Sequence, residues 1–148
     1  MSPTAQTNFR WLPLVIVILA FIGFADAAYL TAEHFLGATP VCLISHGCDT
    51  VLTSRYASIG PIPLSLVGVL YYLVVFLGAV TLVDRNKLTH SRMVKFLSII
   101  TGLGFLSSLG LVYLQLFVLH AICFYCMVSA TTTTLLFSSL VWYKKIVA

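Results

Sequence analysis

Hydrophobic residues in this chain do not alternate with polar ones; they run in long blocks. The first block covers about Trp11 to Leu30 and the second about Ile62 to Val83, while a third apolar stretch runs from Phe96 to Tyr143. One helix over that last stretch would reach about 72 Å at 1.5 Å per residue, more than twice a hydrocarbon core of roughly 30 Å. It must double back. His120 is the plausible break, giving spans of about 96–118 and 121–143 joined by almost no loop. A segment in lipid has to satisfy its backbone hydrogen bonds internally, so each block predicts a transmembrane helix. The expected fold is all-α: a four-transmembrane-helix bundle, one domain over 1–148, with a loop and half-helix cap in segment 31–61. Ala25-Asp26-Ala27 has the look of a signal-peptidase site. The apolar run continues through Leu30 and is long enough to span, so retention of this helix is expected.

Composition agrees with the membrane reading. Of 148 residues, 60% are hydrophobic and 8% charged, and the mean hydropathy is +1.06; a soluble domain carries far more charge. A net charge of +4 invites a nucleic-acid partner, but no basic run interleaved with aromatics is present, and none is expected. The basic residues flank the blocks instead. Arg10 precedes span one, Arg85, Lys87, Arg92 and Lys95 separate spans two and three, and Lys144 and Lys145 follow span four. Arg55 alone lies on the other side. Positive charge marks the cytoplasmic face, so both termini are expected there, with segment 31–61 and the turn at His120 outside.

That topology gathers all four cysteines at the outer face. Cys42 and Cys48 flank Leu43-Ile44-Ser45-His46-Gly47 in the loop, and Cys123-Phe124-Tyr125-Cys126 opens span four. Outside the cytoplasm an even number of thiols reads as disulfide chemistry. A CxxC on a helix puts both sulfurs on one face within bridging distance, and a helix N-terminus lowers a thiol pKa. A structural staple is the bland alternative, but so short a loop adds little entropic stability. Zinc is disfavoured because the x5 spacing is not a usual zinc knuckle, so no metal is expected. The pattern points to thiol–disulfide exchange.

Other residues complete the picture. Asp49 is a plausible N-cap for a short amphipathic helix with Val51, Leu52 and Tyr56 on one face and Ser54 on its inner side. Asp26 is the acidic residue inside an apolar span, which is a functional hypothesis by default. His120 stands three residues before Cys123, where it either tunes a thiolate or simply marks the turn. Phe124, Tyr125 and Tyr29 are candidates to line a ligand site or to anchor the interface. Gly102, Gly104, Ser107, Ser108 and Gly110 make a small-residue face for close helix packing. Thr131 to Thr134 can bond back to helix carbonyls.

Four spans, an outer Cys-x5-Cys and a Cys-x-x-Cys opening span four resemble the vitamin K epoxide reductase family, especially its bacterial, thiol-oxidising branch. Cys48-Asp-Thr-Val-Leu-Thr-Ser54, Gly60-Pro-Ile-Pro-Leu64 and Ala25-Asp-Ala-Ala-Tyr-Leu-Thr31 add to the likeness, which covers nearly the whole chain. The bacterial quinone-dependent oxidase of the disulfide-forming system also has four spans and two cysteine pairs, but its CxxC lies in loop one. Animal members carry a tyrosine and an asparagine where this chain has Ala130 and about Leu64, which argues against vitamin K epoxide as substrate.

The resemblance implies a relay in the bacterial cytoplasmic membrane. Cys42 and Cys48 would take electrons from a reduced thioredoxin-fold thiol oxidase, a separate polypeptide because the chain ends at Ala148. Cys48 would pass them to Cys123, and the Cys123–Cys126 dithiol would reduce a quinone of the menaquinone, ubiquinone or vitamin K type. Ser54 would be a functional polar group; the bland alternative is a local hydrogen bond. Two further classes are a vitamin K epoxide reductase proper and a small four-span transporter coupled through Asp26. A structural scaffold is a fourth.

Overall fold

In a computed structural model of the protein, residues 3–38, 40–42, 47–83 and 87–147 are described, with side chains from residue 11 and, after the second span, from residue 90. Leu43 to His46 between the first two cysteines lie outside the described residues, as do Arg85 and the side chains of Arg10 and Lys87. The elements are α1 (Pro3–Leu36), α2 (Gly47–Leu52), a 3₁₀ turn (Arg55–Ala57), β1 (Ser58–Ile59), β2 (Ile62–Pro63), α3 (Leu64–Val83), α4 (Lys87–Tyr113), a π-helical segment (Leu114–Val118) and α5 (Phe124–Val147).

Four helices are long and apolar enough to cross a membrane: Trp11–Leu36, Leu64–Val83, His90–Val118 and Phe124–Val147. They form the predicted four-helix bundle, in which α1 packs on α3 and α5, and α4 closes the ring against both. The inward stripes have helical spacing. Ile16, Ala20, Gly23, Ala27 and Leu30 line α1; Tyr72, Val75, Ala79 and Leu82 line α3; Thr133, Leu136, Leu140 and Tyr143 line α5. Steps of three and four keep one face against the neighbours. Outward positions such as Leu70, Leu73, Leu77 and Val80 are apolar too, as a lipid solvent requires.

Small residues set the closest approaches. A Cβ at Gly23 would run into the Tyr72 ring, and one at Gly104 would come within 2.6 Å of Tyr71. The predicted small-residue face of α4 is used only in part: Gly102 and Gly104 meet neighbouring rings, whereas Ser107 is exposed and Gly110 has nothing within 4 Å. Thr131, Thr132 and Thr134 bond back to the carbonyls of Met127, Val128 and Ala130 at 2.8–2.9 Å. Thr133 faces inward instead, to the Tyr72 hydroxyl.

The connections differ from the expected ones in instructive ways. Residues 31–36 are helix and not loop, because the stop comes at Gly37, with φ +68°. Gly37 N–H bonds to His34 O and Ala38 N–H to Glu33 O, the paired bonds of a Schellman cap. Asp49 does not cap α2, which starts two residues earlier, and Tyr56 is exposed and not on its buried face. Ile62 and Pro63 form a strand ahead of span two. They pair with Ile59 and Ser58 around Gly60-Pro61, and Gly60 at φ +62° supplies the left-handed first turn position.

The reversal between the last two spans is built on a π-segment. Leu119 N–H reaches back five residues to Leu114 O at 2.8 Å, and Ala121 N–H bonds to Gln115 O at 3.0 Å. His120 then turns the chain at φ +49° with its side chain exposed. This left-handed conformation is open to His but strained for a β-branched residue. His120→Val should therefore destabilise the fold by about 1–2 kcal/mol, whereas His120→Gly should hold or raise stability. Thermal unfolding of the two variants in detergent checks this.

Candidate active site

Cys123 is the residue just before α5, and its carbonyl accepts the N–H of Met127 at 3.1 Å, so it is the helix N-cap. An N-cap side chain usually offers an oxygen to the second and third N–H groups of the helix. Here sulfur takes that place. Cys123 Sγ accepts from the Cys126 thiol and from the backbone N–H groups of Cys126 and Tyr125. The bond from the Cys126 thiol is the main cause of a Cys123 pKa lowered to about 7; burial opposes it, the two backbone donors assist, and the Asp26 carboxylate opposes it weakly. The N–H of Cys123 itself is bound by Gln115 Oε1 at 3.0 Å.

The loop pair comes down on this cap. Cys42 and Cys48 form a disulfide with a Cα–Cα distance of 6.2 Å, while Cys123 and Cys126 are free thiols. Cys48 is fully buried and shares one cluster with Val51 and Cys123, ringed by Leu52, Leu119, Ala121, Tyr125 and Cys126. The approach depends on Gly47. A Cβ there would lie 2.5 Å from the carbonyl oxygen and 2.8 Å from the nitrogen of Ile122, both backbone atoms that cannot step aside. From the other side, Tyr125 OH donates to Val41 O at 2.9 Å, tying the CxxC to the residue before Cys42.

The remaining candidates divide. Tyr29 and Tyr125 meet with ring centroids 5.4 Å apart. Asp26 lies on α1 near this end, with its Oδ2 buried and without a hydrogen-bond partner among the described residues. Ser54 makes a local bond, its hydroxyl donating to Val51 O at 2.7 Å. His120 is exposed at the turn, and Phe124 is exposed at the start of α5. The structure thus brings together the four cysteines, Tyr125 and Asp26, and leaves His120 and Phe124 at the rim.

The vitamin K epoxide reductase family profile matches residues 14–141, which reaches into all four spans and takes in both cysteine pairs. The chain belongs to that family. No curated protein matches it. Membership makes the protein a membrane oxidoreductase that works through cysteines.

Two participants in this family member's site escape a reading of the sequence. Gln115 is buried at the inside of the π-segment and orients Cys123, yet it stands in an unremarkable run of leucines. Its signal was available: it is the one Asn or Gln within the four spans, and a polar residue in a span is rarely idle. Tyr72 is the second, with its hydroxyl bonded to Ser129 and Thr133 one and two turns below Cys126.

The cap geometry predicts a titration. With both pairs reduced, alkylation of Cys123 should reach half its maximal rate near pH 7, below the ordinary thiol range. Cys126→Ala removes the main donor and should move that midpoint upward. Mass spectrometry of Cys123 alkylation against pH measures both, and an unmoved midpoint would eliminate the thiol donor as the cause.

Proposed function

We propose that the protein is a bacterial-type, quinone-linked thiol–disulfide oxidoreductase that supports disulfide formation outside the cytoplasm. The observation that carries this reading is the burial of Cys48 in one cluster with Cys123, one cysteine from each pair. The sidedness rests on the seven basic residues that flank one face against Arg55 on the other.

The exchanges follow from exposure. Cys42 is half-buried whereas Cys48 is fully buried, so an attacking thiolate from a separate, reduced thioredoxin-fold partner meets Cys42 first. A mixed disulfide forms, the partner's second thiol resolves it, and Cys42 and Cys48 are left reduced. The Cys48 thiolate then attacks Cys123 of an oxidised inner pair, releasing Cys126 as thiolate. Cys42 attacks Cys48, freeing Cys123. The result is a bonded loop pair and a reduced inner pair, the distribution found here.

A quinone supplies the two-electron acceptor that drives these exchanges forward. The residues present fit such a ligand: a half-buried Cys126 thiol, a carboxyl oxygen of Asp26 buried without a partner among the described residues, and the tilted Tyr29–Tyr125 pair. Cys126, the deeper thiol, faces the acceptor, and Cys123 faces the loop.

Removing both resolving thiols, Cys42→Ala with Cys126→Ala, should trap a Cys48–Cys123 bond. Such a bond needs a Cα separation of roughly 4.4–6.8 Å. Cleavage between α3 and α4 followed by non-reducing electrophoresis should leave the fragments joined, and adding Gly47→Val should cut the yield. Two free thiols under oxidising conditions would overturn the relay order. Separately, Cys126→Ala should abolish quinone reduction with any thiol donor, while Cys42→Ala should mainly impair oxidation of the protein partner. Equal loss with small dithiol and protein donors in both variants would refute these roles.

A further inference from the structure

We propose that Asp26 carries a proton of the inner-pair reaction: its carboxylate takes the proton of the Cys126 thiol and returns it to the reduced acceptor. This rests on the assignment of Cys126 to the acceptor side, and the experiment below separates the two.

Position comes from the helix. Asp26 is one turn from Gly23, which lies against the Tyr72 ring, and one turn from Tyr29, whose ring meets Tyr125. Residues three apart share a helix face, so Asp26 lies between those two contacts. On α5 the matching interval runs from Tyr125, through Cys126, to Ser129, which bonds the Tyr72 hydroxyl at 2.8 Å. The carboxylate is therefore level with the deeper thiol. Tyr72 does not serve it, because that hydroxyl is already engaged by Ser129 and by Thr133 at 2.9 Å.

The surroundings leave Asp26 one kind of work. Among the described residues, the titratable groups that feel its charge include Tyr72 of α3, Cys123 at the cap, and Tyr125 and Cys126 of α5. No Lys or Arg is among them, and Oδ2 has no donor among the described residues. An ionisable group inside a span without a cation or a donor is costly to keep. It is retained where protons must move. Oxidising two thiols to a disulfide frees two protons, and the interior of a lipid-embedded bundle offers few bases to take them.

The step balances. The Cys126 thiol and the Asp26 carboxylate become a thiolate and a carboxylic acid. The Cys123 thiolate closes the disulfide on Cys126 as the electron pair passes to the quinone, and the Asp26 acid protonates one reduced oxygen. Cys123, fully buried beneath Cys48, enters the step as the thiolate the relay freed, and water supplies the second proton of the quinol. One thiol and one thiolate are oxidised, one quinone becomes quinol, and Asp26 is returned as carboxylate.

The test uses full-length protein in lipid discs. Infrared difference spectra between the dithiol and disulfide forms of the inner pair, without quinone, should show a protonated carboxyl band growing on oxidation. The band should shift on labelling with ¹³C-aspartate and vanish in the isosteric Asp26→Asn. Quinone reduction by Asp26→Asn should fall about 10²-fold or more, and Asp26→Glu should recover most of it. No aspartate band in the labelled wild type, or a wild-type rate in Asp26→Asn, overturns the proposal. The first readout needs no variant, so a folding defect in Asp26→Asn cannot mask the answer. Should Cys126→Ala still reduce quinone, the assignment of Cys126 fails and this step fails with it.

Discussion

Two stretches of backbone meet where Gly47 lies against Ile122, and the chemistry of the site hangs on that meeting. A side chain at 47 would hold α2 away from the segment before α5. Cys48 would then lose the cluster it shares with Val51 and Cys123, and the relay proposed above would lose its short route from one pair to the other. The bundle below serves this contact by fixing both partners. α1 carries the chain up to a Schellman stop at Gly37, and the small β1–β2 hairpin returns it to α3, so the loop between cannot drift far from the bundle end.

Below the contact, one helix end does two jobs. Cys123 caps α5 with sulfur in the place where oxygen is usual, so the same N–H groups that would otherwise go unsatisfied stabilise its thiolate. Stability of the fold and reactivity of the thiol therefore draw on one set of donors. Tyr125, between the two cysteines of the motif, bonds the backbone of Val41, so the reactive cap and the loop above it are held by a single residue.

The spans and the cysteines were legible in the sequence because each leaves a strong one-dimensional signal: hydropathy over some twenty residues, and spacing of a rare residue type. What the sequence left unread depends on three-dimensional approach. Gly47 looks like a residue that eases ring closure, and only its proximity to the Ile122 backbone gives it a second use. Asp49 has the composition of an N-cap, but α2 begins earlier because Gly47 and Cys48 are already folded down onto the bundle. Tyr56 fits an amphipathic pattern that assumes one continuous helix. The break into a 3₁₀ turn at Arg55 swings it outward. Gln115 stands out as the one amide within the four spans, but nothing in a row of leucines announces the π-segment that aims it at Cys123.

That π-segment makes the site sensitive to length as well as to chemistry. Each residue of an α-helix turns the chain by about 100°, and a π-turn holds one residue more than an α-turn. Removing one residue from Leu116–Val118 would let α4 run on as regular helix, with every apolar side chain still acceptable to lipid. The wide turn closed by the Leu119-to-Leu114 bond would be gone, and with it the shape of backbone that aims Gln115 at the N–H of Cys123. A shortened chain of this kind would insert and pack as a four-helix bundle while losing the alignment of its thiols. In this fold, counting residues guards the active site where composition cannot.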